Sequence, residues 1–420
     1  MSALLVVLGL LALICLGIPI GFAIMLTAVG AMWVSDVNLL RVPIQLFSGT
    51  QNLVLLAIPL FILMGELMGA TSISRRMIDF AGALVGWMRG GLSHVNVVTS
   101  MFMAEMSGSA VADAAVMSKI FVPEMARKGY TKPYAASITA ASATLGIIIP
   151  PSIPMVLYAV TTNTSPRDLF IAGIVPGLLL GGAFMVTAYI FARRESHPRD
   201  IAFARANLWR TFKGAAVPLL IPLLVVGGLI GGIFTATEAA AVGVMIALVF
   251  GFAFTNDLNL SRLYALLVAS VRQTATVMMI IAGSAVLGVY LANEQIPQKI
   301  AAALGGASDT FWVQLLLINA FLLVLGMFLH ASAAIIVVVP LLLPLAVEMG
   351  IDPVHFGVIV CLNLGIGQQT PPVASVLLTV CSATGVRIEE VMRYGKWFIV
   401  AMFVVLMIVS FVPATALWWR

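Results

Sequence analysis

The stretch LGIIIPPSIP, residues 145–154, places three prolines inside a long apolar run where an unbroken helix would otherwise form. Pro150 and Pro151 have no amide hydrogen to donate to the carbonyls of Gly146 and Ile147, and each ring disfavours helical backbone at the residue before it. The sequence therefore predicts that a helix breaks here and leaves backbone carbonyls without their usual partners.

The composition of the chain indicates where this broken helix lies. Of the 420 residues, 61% are hydrophobic and only 9% are charged, whereas a soluble globular chain carries about 25% charged residues. The mean hydropathy is +1.11. Apolar stretches such as residues 214–234 show no alternation of polar and apolar positions, which argues against a β-barrel. We predict an all-α polytopic membrane protein.

A second proline pair predicts a second broken helix. Pro371 and Pro372 free the carbonyls of Gly367 and Gln368 in the same way. Unpaired carbonyls at membrane depth are tolerated only where they are buried in protein or line a hydrated cavity. Carbonyl oxygens suit a hard cation, and the N-termini of half-helices suit an anion. A plain kink is the alternative for a single proline, but two matched pairs favour a transport site.

The two proline pairs belong to an internal repeat. The spacing of Gly129, Gly146 and the first proline pair recurs in Gly350, Gly367 and the second pair. Each half contains about five crossings and one re-entrant hairpin, so the second half enters the membrane from the opposite face, as in several secondary-transporter folds. The predicted divisions are a first repeat at 1–192 with hairpin 92–119 and broken helix 133–165, a basic cytoplasmic linker at 193–213, and a second repeat at 214–420 with hairpin 311–347 and broken helix 353–386.

The basic residues predict the orientation of the chain in the membrane. If the linker 193–213 faces the cytoplasm, as the positive-inside rule requires, 18 of the 22 Lys and Arg residues fall inside. This partition holds only if 92–119 and 311–347 each enter and leave the membrane on the same side. A single crossing at 92–119 would instead place a basic cluster outside. Both termini are therefore predicted to be periplasmic.

Three long motifs carry a family resemblance. SGSAVADAAVM (107–117), LGIIIPPSIPMVLYAV (145–160) and GIFTATEAAAVGV (232–244) resemble motifs of the large membrane subunit of tripartite ATP-independent periplasmic (TRAP) transporters, and the resemblance covers essentially the whole chain. It implies a sodium-driven importer of organic acids, such as dicarboxylates and sugar acids, in the bacterial inner membrane. It also implies two partners, a soluble periplasmic binding protein and a separate small four-helix membrane subunit, and an elevator-type motion.

The hairpin tips and broken helices together predict two sodium sites with the substrate between them. The tips consist mostly of small and hydroxyl residues, whose neutral oxygens suit a monovalent ion that must bind and leave in every cycle. Close helix packing is the other use of such residues. The first site is predicted to comprise Ser107, Gly108, Ser109, Gly146 and Pro150, and the second Ala331, Ser332, Gly367, Gln369, Thr370 and Pro371. The candidate substrate-binding residues are Ser109, Pro151, His330 and Ser332.

The two sites are expected to differ chemically. Gln368, Gln369 and Thr370 precede the second proline pair, where the first pair is preceded by three isoleucines.

Four acidic residues in or near membrane segments need an explanation, because a charge at bilayer depth is costly and often functional. Glu105 and Asp113 flank the first tip, and for Asp113 an ion, a proton and a lysine at the hairpin end are all candidate partners. Glu66 is expected near the interface. Glu238 follows Thr235 in a capping-box pattern, which predicts a structural role.

Two other functions were compared with the transporter prediction. A membrane enzyme would need paired carboxylates, an HExxH motif or a nucleophile with its base at membrane depth, and the sequence contains none of these. A stand-alone sodium–carboxylate symporter shares hairpins and inverted repeats, and it is the alternative within the transporters.

Overall fold

The computed structural model describes residues 6, 9–10, 12–14, 16–199, 203–296, 299 and 310–420, and all of their side chains except those of residues 105–107. Within that part of the chain the regular secondary structure is helical. Nine of the described helical segments are at least 18 residues long and apolar enough to cross a membrane, for which about 20 residues are needed. The predicted all-α polytopic membrane fold is confirmed.

The described helices follow one another in two comparable series. In the first half they are α1 (Ile20–Val34), α2 (Arg41–Ser48), α3 (Ala57–Ala70), α4 (Ile73–Val85), α5 (Gly91–Ser107), α6 (Ala110–Arg127), α7 (Lys132–Ala143), α8 (Leu145–Ile148), α9 (Ile153–Thr162) and α10 (Pro166–Arg194). In the second half they are α11 (Arg205–Ile230), α12 (Ala236–Val249), α13 (Leu260–Asn293), α14 (Phe311–Phe328), α15 (Ala331–Glu348), α16 (Pro353–Gly367), α17 (Ser375–Thr384) and α18 (Ile388–Phe411). A 3₁₀ turn at Leu53–Leu56 leads into α3, and a π-helical stretch at Phe250–Phe254 extends α12.

The first hairpin is formed by α5 and α6, which pack along each other. Gly108 ends α5 in the left-handed conformation (φ +55°), where a residue without Cβ is favoured. Ser109 then caps α6, its hydroxyl accepting a hydrogen bond from the amide of Ala112 at 3.5 Å. These two residues reverse the chain within one short turn. The return of segment 92–119 to the same side of the membrane stays a prediction.

The second hairpin, α14 and α15, is more open. Leu329 and His330 both have extended backbone and separate the two helices. The two helices make little contact with each other. α14 packs mainly on α16, whereas α15 packs on α9. Each arm is 18 residues long, about 27 Å at 1.5 Å per residue. Each arm is long enough to span a membrane, so the re-entrant character of the second hairpin stays a prediction.

Both proline pairs interrupt a helix. In the first half α8 ends at Ile148 and α9 begins at Ile153; in the second half α16 ends at Gly367 and α17 begins at Ser375. The Pro150–Pro151 and Pro371–Pro372 peptide bonds are both cis.

Packing partners exchange between the two halves. α1 packs on α13 as α12 packs on α3, α9 packs on α15 as α17 packs on α6, and α10 packs on α16 as α18 packs on α7. Equivalent helices therefore occupy equivalent places, as a two-fold pseudosymmetry requires. Because of this exchange, the second part of each broken helix lies against the hairpin of the other half.

Polar and aromatic contacts gather the connecting loops at two ends of the helix bundle. At one end Arg420 forms ion pairs with Asp352 at 2.5 Å and Asp168 at 3.4 Å. At the other end the ring of His197 lies 4.4 Å from that of Tyr130. Each group joins loops that the distribution of basic residues assigns to the same side. Which end faces the cytoplasm stays a prediction from the positive-inside rule.

Candidate functional site

The two hairpin tips, although far apart in sequence, line one cavity of about 40 Å³. Its walls also include the first broken helix, the end of α16 and two residues of α13. The lining residues are Gly108, Ser109, Ala110, Ile147, Ile153, Pro154, Gln273, Val277, His330, Ala331, Ser332 and Gln368. The structure thus brings together five residues predicted at the tips, Gly108 and Ser109 from the first half and His330, Ala331 and Ser332 from the second.

The first tip lies directly against the break of its own half. A Cβ added to Gly146 would stand 3.5 Å from the amide nitrogen of Ala110, and one added to Gly108 would stand 3.1 Å from the amide nitrogen of Ile153. The missing side chain at Gly108 therefore allows this close approach to the backbone of the first break. The contact of Gly146 with the Ala110 backbone is of ordinary length. Ser109, Gly108 and Gly146 are neighbours, as the predicted first site requires.

Asp113 lies beside this first site. Its side chain is buried, it stands in the first turn of α6, and its Oδ2 would be 2.9 Å from a Cβ on Gly146. A carboxylate in the first turn is stabilised by the N-terminal end of the helix dipole. The sequence left the role of Asp113 open, and the structure places it next to the predicted ion site.

Three of the four carbonyls predicted to be left free by the prolines have protein donors. The Ser152 hydroxyl donates to the carbonyl of Ile147 at 2.6 Å. In the second half the Thr370 amide donates to the carbonyl of Gly367 at 3.0 Å, and the Val376 amide to that of Gln368 at 3.2 Å. The prolines thus remove the usual helical donors, as the sequence indicates, and local donors beside each break replace them at these three carbonyls. Each oxygen keeps a second lone pair.

The second break places its polar side chains differently from the prediction. Gln369 donates from its amide nitrogen to the carbonyl of Ala140 on α7, and the Thr370 hydroxyl donates to the carbonyl of Ile366 at 2.9 Å. Neither lines the shared cavity, and Pro371 is exposed. Gly367 packs on Gly326 of α14, where a Cβ would collide with the Gly326 backbone. These predicted residues support the second break rather than face the second tip.

Gln368 faces the shared cavity instead. It is 1% exposed, and neither its Nε2 nor its Oε1 has a hydrogen-bond partner in the described part of the chain. A buried side-chain amide without partners is costly and calls for a ligand or water. The sequence prediction chose the neighbouring Gln369, since the motif alone does not show which glutamine faces the tip.

The remaining predicted residues lie at or near the tips. His330 caps α15, its Nδ1 accepting from the Ser332 amide at 3.4 Å. Pro150 and Pro151 are buried, and the carbonyl of Pro151 stands 3.4 Å from a Cβ built on Gly108. The side chains of Ser107 and Glu105 lie outside the described residues.

A cleft of about 290 Å³ leads away from the tips. Glu66 and Ala70 of α3 line one wall, and Ala112 and Asp113 of the first hairpin line the other. Gln273 of α13 lines both this cleft and the cavity at the tips. No sequence motif marks Gln273; only the folded arrangement shows that it stands where the two spaces meet.

Broken helices that meet two hairpin tips around a small cavity with several polar side chains are typical of a secondary transporter. Over residues 7–415 the sequence matches the family described as tripartite ATP-independent periplasmic transporter, DctM component. The chain belongs to this family. It is therefore the large membrane component of a TRAP transporter, a multi-pass inner-membrane permease, and the family prediction is confirmed.

Individual relatives and a solved structure agree with this assignment. The chain is 38% identical over 406 residues to the sialic acid TRAP transporter large permease protein SiaM of Vibrio cholerae, covering 96% of this chain and 95% of the relative. It is 40% identical over 382 residues to the C4-dicarboxylate TRAP transporter large permease protein DctM of Pseudomonas aeruginosa, covering 89% and 88%. The crystal structure of the Alcanivorax borkumensis YdaH transporter has a similar fold, with a TM-score of 0.62, 15% identity and 86% of each chain covered.

Proposed function

We propose that this permease imports an organic acid together with sodium ions, by an elevator motion. The substrate is delivered by a soluble periplasmic binding protein, and the permease works with a separate small four-helix membrane subunit. The names of the two relatives support the substrate class, because sialic acid and C4-dicarboxylates are all carboxylates.

The observation that carries the proposal is the shared cavity between the two hairpin tips. It joins residues of both halves, among them Ser109, Ser332 and the unpartnered amide of Gln368. A carboxylate can accept hydrogen bonds from the Gln368 Nε2 and from a serine hydroxyl. The substrate would thus contact both halves at once, and its binding would depend on how the halves are arranged.

The chemistry beside each tip suits sodium. At the first site Ser109 and the Gly146 backbone supply neutral oxygens, and the Asp113 carboxylate lies next to them. At the second site Ser332 and Gln368 supply neutral oxygens. Sites built mainly from neutral oxygens bind a monovalent ion weakly enough to release it in every cycle.

The elevator proposal assigns the hairpins and broken helices to a moving body and α1, α3 and α11–α13 to a fixed scaffold. The cleft of about 290 Å³ runs between α3 and α13 on one side and α5 and α6 on the other, along the boundary between these two bodies. At about 40 Å³ the tip cavity holds only a few waters. We therefore expect the tips to separate when substrate binds or leaves.

The test is uptake of labelled C4-dicarboxylate or sialic acid into proteoliposomes that contain the permease and its small subunit, with the binding protein added outside. We expect uptake to require the binding protein and an inward sodium gradient, and to cease when potassium replaces sodium. Uptake driven equally well by potassium would contradict sodium coupling. Robust uptake by the purified large subunit alone would instead favour the stand-alone symporter.

A further inference from the structure

A groove of about 560 Å³ lies between α4, the start of α11 and the base of the first hairpin. It shares no lining residue with the cavity at the hairpin tips. α4 is a 13-residue amphipathic helix that buries Ile73, Met77 and Ala81 at four-residue spacing. It leaves Arg75 and Asp79 exposed. This pattern is typical of a helix lying in the interface of a bilayer rather than across it.

An aromatic cluster lies on the same helices as the groove. Phe80 lies 5.8 Å from Phe212 between ring centroids, Phe212 stacks on Trp209 at 5.6 Å, and Lys213 lies over the Trp209 ring at 5.3 Å. Aromatic and basic side chains gather in this way at membrane–water interfaces. The groove opens beside Ile120, which is 40% exposed.

The charges in the groove are mixed in sign. Two arginines, Arg76 and Arg210, and two acids, Asp79 and Glu124, line it. Arg76 is held in place by its hydrogen bond to the carbonyl of Gly214 at 3.1 Å, and Glu124 pairs with Arg127. Asp79 has no ion-pair partner among the described residues, and the guanidinium of Arg210 contacts only Asn207 of its own helix, at 2.9 Å. The guanidinium of Arg210 and the carboxylate of Asp79 thus line the groove without forming an ion pair among the described residues.

We propose that this groove binds a glycerophospholipid with a primary-ammonium headgroup, phosphatidylethanolamine. The phosphate accepts hydrogen bonds from Arg210 and Arg76, since guanidinium matches phosphate geometry. The ammonium donates to Asp79, and the acyl chains lie along the apolar residues of the hairpin base, among them Val95 and Phe121. Balanced charge disfavours an anionic lipid, and a choline headgroup has no N–H to donate to Asp79.

The test compares three lipids with identical acyl chains, carrying ethanolamine, choline or glycerol headgroups, on the delipidated full chain in detergent. We expect native mass spectrometry to give a dissociation constant at least about tenfold lower for the ethanolamine lipid. Asp79→Asn should remove that preference over choline, and Arg210→Gln should weaken all three lipids.

The matched control is Arg205→Gln, because Arg205 is exposed on the first turn of the same helix and does not line the groove. The melting temperatures of the lipid-free variants should equal that of the parent chain, because Asp79 and Arg210 make no long-range hydrogen bond or ion pair among the described residues. Equal binding of all three lipids would overturn the proposal. So would an unchanged ethanolamine preference in Asp79→Asn, or an effect of Arg205→Gln as large as that of Arg210→Gln.

Discussion

The two breaks occupy equivalent places in the fold, yet they differ in burial and in how the chain supports them. At the first break Pro150 and Pro151 are buried, and Ser152 joins the two helical parts by its bond to the Ile147 carbonyl. At the second break residues 371–373 are exposed, and the helix resumes only at Ser375. The isoleucines before the first proline pair and the two glutamines before the second are all buried, so the breaks differ in the exposure of the prolines themselves.

The second break also carries local backbone strain. Ala374 adopts the left-handed conformation, with φ +47°, which costs about 1–2 kcal/mol for a residue with a Cβ. Its amide donates to the carbonyl of Met327 at 3.3 Å, which ties the segment to the open hairpin. We infer that the first half forms the firmer wall of the transport cavity, and that the second break and its hairpin are the part that rearranges. Five predictions would break or sharpen this comparison.

The largest expected effect is the opposite sidedness of the two halves. Single cysteines at Ser196, in the linker, and at Glu348, at the end of the second hairpin, are both exposed. With an impermeant thiol reagent we expect Ser196→Cys to label only in inverted vesicles and Glu348→Cys only in intact cells. Labelling of both from one side would contradict the inverted orientation of the repeats.

Gly367, at the second break, should tolerate substitution by alanine far less than Gly365 of the same helix. A Cβ at Gly367 collides with the Gly326 backbone, whereas one at Gly365 would stand 3.6 Å from a side-chain carbon of Ile147, an ordinary contact. Forcing two backbones apart costs about 1–3 kcal/mol. We therefore expect Gly367→Ala to lower the melting temperature and abolish uptake, and Gly365→Ala to do neither. Equal tolerance would show that α14 and α16 separate easily.

The two adjacent glutamines should affect different measurements. Gln368 faces the tip cavity, whereas Gln369 is bonded to the Ala140 carbonyl. Loss of one hydrogen bond to the substrate corresponds to about a tenfold change in affinity. Gln368→Leu should thus raise KM for substrate about tenfold with little change in melting temperature. Gln369→Leu should lower the melting temperature and leave KM unchanged. The reverse result would show that Gln369, the residue predicted from the sequence, contacts the substrate.

The contrast between these glutamines shows what the sequence could and could not predict. Apolar length, Gly108 and the two proline pairs predict the helices, the hairpins and the breaks, because each acts through local backbone chemistry. Successive helical residues point about 100° apart, so the direction of Gln368 depends on how α16 packs. The hydrogen bond from the Ser152 hydroxyl to the Ile147 carbonyl and the position of Gln273 likewise depend on the folded chain. Neither could be predicted from residue spacing in the sequence.

Alanine variants of the serines at the two tips should change transport less, and only Ser109→Ala should also change the melting temperature. Ser109 caps α6 through its hydroxyl, whereas Ser332 donates to His330 from its backbone amide. If both hydroxyls bind sodium, each alanine variant should raise the sodium concentration for half-maximal uptake about two- to tenfold, the effect of one lost neutral ligand. Ser109→Ala should in addition lower the melting temperature, because a cap contributes about 1 kcal/mol. Unchanged sodium dependence in both variants would exclude the hydroxyls as ligands.

The smallest expected effect concerns a carboxylate outside the transport site, which serves as the counterpart of Asp113. Glu238 completes the predicted capping box of α12, its Oε2 accepting from the Thr235 amide at 2.8 Å and from the Thr235 hydroxyl at 2.9 Å. Glu238 is thus bonded within the first turn of α12, and it does not line the tip cavity.

A comparison of variants tests this role. At pH 7 Glu238→Gln should melt roughly 1 °C below the parent chain, because its bonds to Thr235 weaken, and uptake at pH 7 should be unchanged. Glu389→Gln is the matched control, since Glu389 stands in the first turn of α18, where no side chain caps the helix. Asp113→Asn should instead impair sodium-driven uptake at pH 7. A loss of uptake in Glu238→Gln equal to that in Asp113→Asn would contradict the assignment of Glu238 to structure and Asp113 to the ion site.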